Sequence, residues 1–258
     1  MTAVDVHYVV AGASDGPPVL LSGSLGSDLR MWEPQVAALT AAGYRVVRYD
    51  HRGHGRSPVP PGPYALPDLG ADALALLDRL HIRRAHFVGL SLGGMVGMWV
   101  GQHAPHRLRT LTLCCTSAEL GPPGGWADRA ATVRAQGTGA VAEAAVQRWF
   151  TPGWRAARPE RTRDFQDMIA STPAEGYAAC CGAIETMDLT ARLPRISAPT
   201  LVIAGADDPA TPPPHAHRIV DAVPLARLEI IGPAAHLANI EQPGIVNELI
   251  LGQLKENS

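Results

Sequence analysis

The chain has 258 residues, 46% hydrophobic and 18% charged, with a formal net charge of −2 at pH 7. That length accommodates one large domain with an insertion, or two domains. The near-neutral charge argues against a broad basic face for nucleic acid or an anionic membrane surface, and no apolar run approaches the ~18 residues of a membrane-spanning helix.

The N-terminal stretch "MTAVDVHYVVAG" lacks the basic start and long apolar core of a signal peptide, so a cytoplasmic location is expected. "VHYVVAG" (6–12) and "PPVLLSG" (17–23) read as strands separated by the turn "ASDGP". "MWEPQVAALTAAG" has helical spacing and ends at Gly43. "YRVVRYD" (44–50) is a β-rich run, and "GPYALPDLGADALALLDRLHI" (62–82) carries apolar residues at helical intervals. Strand "AHFVGL" (85–90), a helix after Ser91 and strand "LRTLTLC" (108–114) follow. Far downstream come the strands "APTLVIAG" (198–205) and "ARLEIIG" (226–232), then a last helix, "PGIVNELILGQL" (243–254). Short apolar β-runs alternating with helices predict an α/β fold with a mostly parallel, doubly wound sheet.

Between residues 119 and 189 that rhythm stops. "GWADRAATVRAQG", "GAVAEAAVQRWF", "ERTRDFQDMIAS" and "EGYAACCGAIETM" each read as helical, with Gly and Pro at the breaks. We read a single domain over 1–258 with a helical cap, 119–189, inserted between two strands. Such a cap either decorates the surface or forms a lid over strand ends, where these sheets bind ligands. The cysteines fall in two adjacent pairs, Cys114–Cys115 and Cys180–Cys181, which match neither zinc-site spacing nor a disulfide framework. Buried thiols in a reducing compartment are expected, with no metal and no organic cofactor.

Within "HFVGLSLGGM" the residues Gly89 to Gly93 form G-x-S-x-G after a strand and before a helix. A serine on so sharp a turn stands clear of the sheet, and the helix beginning beside it directs N–H groups at a developing oxyanion. Ser91 is therefore the candidate nucleophile. It needs a base, and among ten histidines His236 stands out. It follows the last strand and precedes the last helix, whereas His54, His81, His103 and His106 suit surface or supporting positions, and His215 and His217 sit in a polar loop. The base needs an acid to orient it. Asp207 and Asp208 both end the strand "LVIAG", and Asp208 is preferred because Pro209 stiffens the turn that would aim it. For the oxyanion hole, Leu92 N–H pairs with a donor from "LLSGSLGSDLRMW", Ser24 first and Leu25 second.

The chain resembles an α/β-hydrolase in "YDHRGHGRS", the elbow, "GADDPATP" and "AAHLANIEQP". More narrowly it is similar to the 3-oxoadipate enol-lactonases, in "SLGSDLRMWEPQ", "GPPGGW", "RWFTP", "TPAEGYAACCGAI" and "APTLVIAGADDPATPP". Two departures stand out: Ser22-Gly23-Ser24 occupies a loop that often holds His or Asn, and Leu92 is Met in many relatives. Donation runs through backbone N–H groups, so neither departure removes the hole. The resemblance implies hydrolysis of 3-oxoadipate enol-lactone through an acyl-enzyme, a step of aromatic catabolism. That lactone bears a carboxylate, which burial penalises unless it is paired. Arg134, two helical turns beyond Trp126, is the first candidate cation, with Arg129 and Arg148 behind it. Leu25, Trp126 and Trp149 are candidate pocket walls. Another esterase, lactonase or perhydrolase would share the triad, a dehalogenase would need Asp in place of Ser91, and a non-catalytic receptor need not keep the full set.

Overall fold

The β-branched and leucine-rich runs assemble in the computed structural model into a seven-stranded sheet, in the order β1-β3-β2-β4-β5-β6-β7. The structure describes residues 2–121 and 124–257. Met1, Ser258 and, inside the "GPPGGW" stretch, Pro122 and Pro123 lie outside the described residues. The strands are β1 (Tyr8–Gly12), β2 (Pro18–Ser22), β3 (Arg45–Tyr49), β4 (Ala85–Leu90), β5 (Leu108–Cys114), β6 (Thr200–Gly205) and β7 (Ala226–Ile231). β1 runs antiparallel to β3, and every other pairing is parallel. The two N-terminal strands do not pair with each other, because β3 inserts between them.

Burial follows strand position. Every residue of β4 and β6 is buried, as expected for inner strands covered on both faces. The edge strand β7 is half exposed. Helix α1 (Glu33–Ala41) packs against the last helix of the chain, and α2 (Leu66–Arg79) packs against α3 (Leu92–His103). Strand order reverses after β3, and the chain returns past β2 to β4. The reversal leaves the carboxyl ends of β2 and β4 side by side, with Ser22 paired to Gly89. Such a switch point is where open parallel sheets bind ligands.

Helices α4 (Gly125–Gln136), α5 (Gly139–Trp149), α6 (Pro152–Ala157), α7 (Pro159–Ala170) and α8 (Ala174–Glu185) lie between β5 and β6 in the chain. The segment leaves and rejoins the body at one point, where Glu119 and Asp188 form an isolated antiparallel bridge and Leu189 N–H donates to Ala118 O at 2.9 Å. Helix α6 escapes a periodicity reading because it is too short to show one. A second unexpected helix, α9 (Pro213–Ala222), holds His215 and His217, which the sequence suggested were in a loop. Its prolines occupy the first turn, where the missing N–H costs no helical bond. The chain closes with α10 (Ala238–Glu241) and α11 (Pro243–Lys255).

Candidate active site

β4 ends at Leu90 and α3 begins at Leu92, so Ser91 alone makes the turn, at φ 55° and ψ −115°. A non-glycine residue held there stores strain, as expected of a nucleophile elbow. Close packing keeps the elbow sharp. A Cβ on Gly89 would strike the backbone of Gly93, and one on Gly93 would strike the Ser22 carbonyl. Ser91 N–H donates to Cys114 O at 2.9 Å, and the Thr116 hydroxyl donates to Ser91 O at 2.7 Å. Leu92 opens the helix, so its N–H has no helical acceptor.

The loop after β2 lies beside this turn. Gly93 N–H donates to Gly23 O at 2.9 Å, tying the loop to α3. Two buried histidines brace it from behind. His51 Nε2 donates to the same Gly23 oxygen at 3.0 Å, and His54 Nε2 accepts from Gly26 N–H at 2.9 Å. Burial pushes His51 down to about 3, with His54 adding to the effect. Burial also lowers His54, so both rings stay neutral. Ser24 N–H faces the Met31 thioether at 3.3 Å, a weak acceptor that a stronger one can displace.

The candidate acid and base come from the ends of β6 and β7. His236 Nδ1 and Asp208 Oδ2 are 2.8 Å apart. The same carboxylate accepts from Ala210 N–H at 2.8 Å, Thr211 N–H at 3.1 Å and the Thr211 hydroxyl at 2.7 Å. Burial alone would raise Asp208, but the His236 charge and these hydrogen bonds outweigh it and hold the carboxyl below its usual range. Asp207 is exposed and serves the loop, accepting from Ala234 N–H at 3.2 Å. Ser91 and His236 line one pocket with Ser24, Leu25 and Thr211. Among the described residues no hydrogen bond joins the Ser91 hydroxyl to His236, a separation common before substrate binds.

The pocket's other wall comes from the helical segment. Trp126 and Arg129 of α4, Ala145, Arg148 and Trp149 of α5, and Tyr177 of α8 contribute to it. The expectation for Arg134 is corrected. Arg134 does not line the pocket. It is exposed and makes a two-pronged ion pair with Glu175, Nε to Oε2 at 2.8 Å and Nη2 to Oε1 at 3.0 Å. At about 100° per residue, Arg129 and Arg134 project about 140° apart on α4, so a helix that turns one inward turns the other away. Arg129 lies over the rings of Trp126 and Tyr177, 5.4 Å and 5.7 Å from their centroids. Neither Arg129 nor Arg148 has a carboxylate partner among the described residues. Burial lowers Arg148, and the Arg129 charge lowers it further. Burial pushes the Tyr177 phenol up to about 12 against the opposing pull of those arginines. Among the described residues no group of three or more His, Cys, Asp or Glu side chains could hold a metal ion.

A family model described as the alpha/beta hydrolase fold matches residues 17–243. The chain belongs to the α/β-hydrolase family. This hydrolase is 40% identical to 3-oxoadipate enol-lactonase 2 of Acinetobacter baylyi, over 99% of its own chain and 96% of the relative. The crystal structure of the enol-lactonase from Burkholderia xenovorans LB400 superposes with a TM-score of 0.95 at 39% identity, covering 98% of this chain and 97% of that one. A RutD protein of Variovorax paradoxus, whose name provisionally assigns carbamate hydrolysis, is 34% identical over 95% of this chain and 94% of its own. The hydrolase has no helix, among the described residues, long and apolar enough to cross a membrane.

Thr211 and Tyr177 are among the pocket residues not singled out from the sequence. Thr211 had a signal: an Asp followed two and three residues later by N–H groups in D-P-A-T forms an Asx-type turn, which places the hydroxyl on the carboxylate. Tyr177 had none, since one aromatic on a mostly buried helix reads as core.

Proposed function

We propose that this hydrolase opens 3-oxoadipate enol-lactone to 3-oxoadipate, in the cytoplasm, as a step in the breakdown of aromatic compounds. The observation that carries the reading is the pair Arg129 and Arg148, two guanidiniums without carboxylate partners in the pocket that also holds Ser91 and His236. Their like charges repel, and burial disfavours the charge on Arg148, so an anion between them relieves two costs at once. Stacking on Trp126 and Tyr177 leaves the in-plane N–H groups of Arg129 free for a carboxylate. The helical segment is thus read as a cap that selects the substrate by its side-arm charge.

In this mechanism His236 takes the Ser91 proton as the hydroxyl attacks the lactone carbonyl. Asp208 supports the resulting imidazolium and fixes the ring so that Nε2 faces the nucleophile. The N–H groups of Leu92 and Ser24 hold the tetrahedral oxyanion, Ser24 exchanging the Met31 sulfur for a stronger acceptor. Collapse expels the ring oxygen, which takes the proton from His236 and leaves as an enol, a better leaving group than an alkoxide, and it ketonises. His236 then deprotonates a water that releases the acyl group. The product carries two carboxylates, one held by the arginines and one newly formed beside the oxyanion donors.

The test is a panel of substrates: the enol-lactone, p-nitrophenyl acetate and a simple carbamate. We expect kcat/KM for the enol-lactone to exceed the others by orders of magnitude. Comparable or faster turnover of the carbamate would overturn the reading.

A further inference from the structure

His236 is fastened on both sides to the helical segment. On one side Leu237 N–H donates to the carbonyl of Trp149 at 2.9 Å. On the other, Ala235 N–H donates to Glu241 Oε2, and Glu241 Oε1 accepts from Thr151 N–H at 3.0 Å and from the Thr151 hydroxyl at 2.7 Å. Glu241 is buried, 9% exposed, and its carboxylate spans the gap between the histidine loop and the residues that follow α5. Trp149 and the adjacent Arg148 line the pocket. The end of α5 thus touches both the space offered to substrate and the two peptide groups that flank the imidazole.

We infer that Glu241 is a positioning residue. Together with the Trp149 carbonyl it clamps the His236 loop to the end of α5, and the imidazole keeps its aim at Ser91 only while that clamp is closed. This rests on the reading of His236 as the base. A carboxylate suits the task because every group facing it donates: two backbone N–H groups and one hydroxyl. A carboxamide of the same size cannot serve all three, since its NH2 would oppose an N–H on one side. Neither Glu241 nor Thr151 lines the pocket, so loss of their bonds misplaces the base without removing a substrate contact. A misplacement of about 1 Å in a reacting group lowers rate by up to about 100-fold.

The experiment measures kcat, KM and the melting temperature of Glu241→Gln and Thr151→Val on both the enol-lactone and p-nitrophenyl acetate. Glu241→Gln is expected to lower kcat between about 10- and 100-fold on both substrates, with KM changed by less than about twofold. Thr151→Val, which removes one hydroxyl and keeps the backbone donor, is expected to lower kcat several-fold. Adding it to Glu241→Gln should lower kcat by less than the product of the single effects. Folded variants with unchanged kcat would overturn the inference, as would a loss confined to KM. If Glu241→Gln does not fold, Thr151→Val decides: unchanged kcat there overturns the clamp. His236→Gln separates the two claims. Retained turnover in that variant removes the mechanism itself, whereas an inert His236→Gln beside fully active clamp variants removes only the role of Glu241.

Discussion

Asp208 and His236 are joined by a 2.8 Å hydrogen bond between side chains that are 0% and 5% exposed, respectively. An amide at position 208 would present an NH2 or a neutral oxygen to Nδ1 and release the ring from its tautomer. We expect Asp208→Asn to lower kcat on the order of 10⁴-fold. Asp207→Asn keeps an acceptor for Ala234 N–H and should change kcat by less than about twofold. Steady-state kinetics on p-nitrophenyl acetate compare the two, and the opposite ranking would reassign the acid.

Ser91→Ala should reduce turnover below about one per cent of the native rate, because the proposed nucleophile is removed while the turn remains. The native φ of 55° is unfavourable for Ser and Ala alike, so the melting temperature should stay close to native. Turnover well above that level in a folded protein would mean that another group attacks the carbonyl.

The candidate site at the carboxyl end of the sheet was legible because chemistry and geometry coincide there. Gly89 and Gly93, on either side of Ser91, are forced by a collision that any Cβ would make, and His236 and Asp208 follow strands whose apolar runs are unmistakable. The cationic wall was less so. Helical spacing offered three arginines but not their rotation about the axis, and Arg134 is held outward by Glu175, 41 residues away. Nor could local pattern reveal that β3 would separate β1 from β2, or that a proline-rich start would continue into α9, since strand pairing and first-turn prolines are decided by tertiary neighbours. The Glu241 clamp was hidden for the same reason: its partner Thr151 is 90 residues away.

Removing charge from the wall should act on one substrate more than another. Arg148→Met and Arg129→Met each delete a charge-assisted contact of about 1.5–3 kcal/mol, so kcat/KM for the enol-lactone should fall about 10- to 150-fold. The loss on p-nitrophenyl acetate, which carries no carboxylate, should be much smaller. Arg134→Met removes only an exposed ion pair and should change kcat/KM by less than about twofold. Equal losses on both substrates would indicate a displaced helix rather than a lost ion pair.

The two histidines behind the oxyanion loop make stability depend on pH. His51 takes a proton near 6.5 when unfolded but only at about 3 when folded, so the unfolded chain binds more protons between those values. The stabilisation is complete above pH 6.5 and is lost as pH falls through the window, by about 1 kcal/mol between pH 7 and pH 5.5. His54 is shifted in the same direction. Asp208, lowered from 3.8, weakens the fold only below that value and does not contribute in this range. Thermal melts should therefore show Tm lower at pH 5.5 by about 2–4 °C from His51 alone, and His51→Gln should flatten the slope. A slope unchanged in that variant would place the pH dependence elsewhere.

The bridge between Glu119 and Asp188 gives the helical segment a single narrow neck. Everything between those residues can be exchanged for another length of chain without altering which strands pair, since β5 and β6 are already neighbours below it. The neck thus makes the pocket wall a graftable part: a relative's segment joined at Ala118 and Leu189 would inherit this sheet and bring its own wall. A graft would still need two fittings at the far end, a carbonyl for Leu237 N–H and donors for Glu241, or the imported wall would arrive without a seated base.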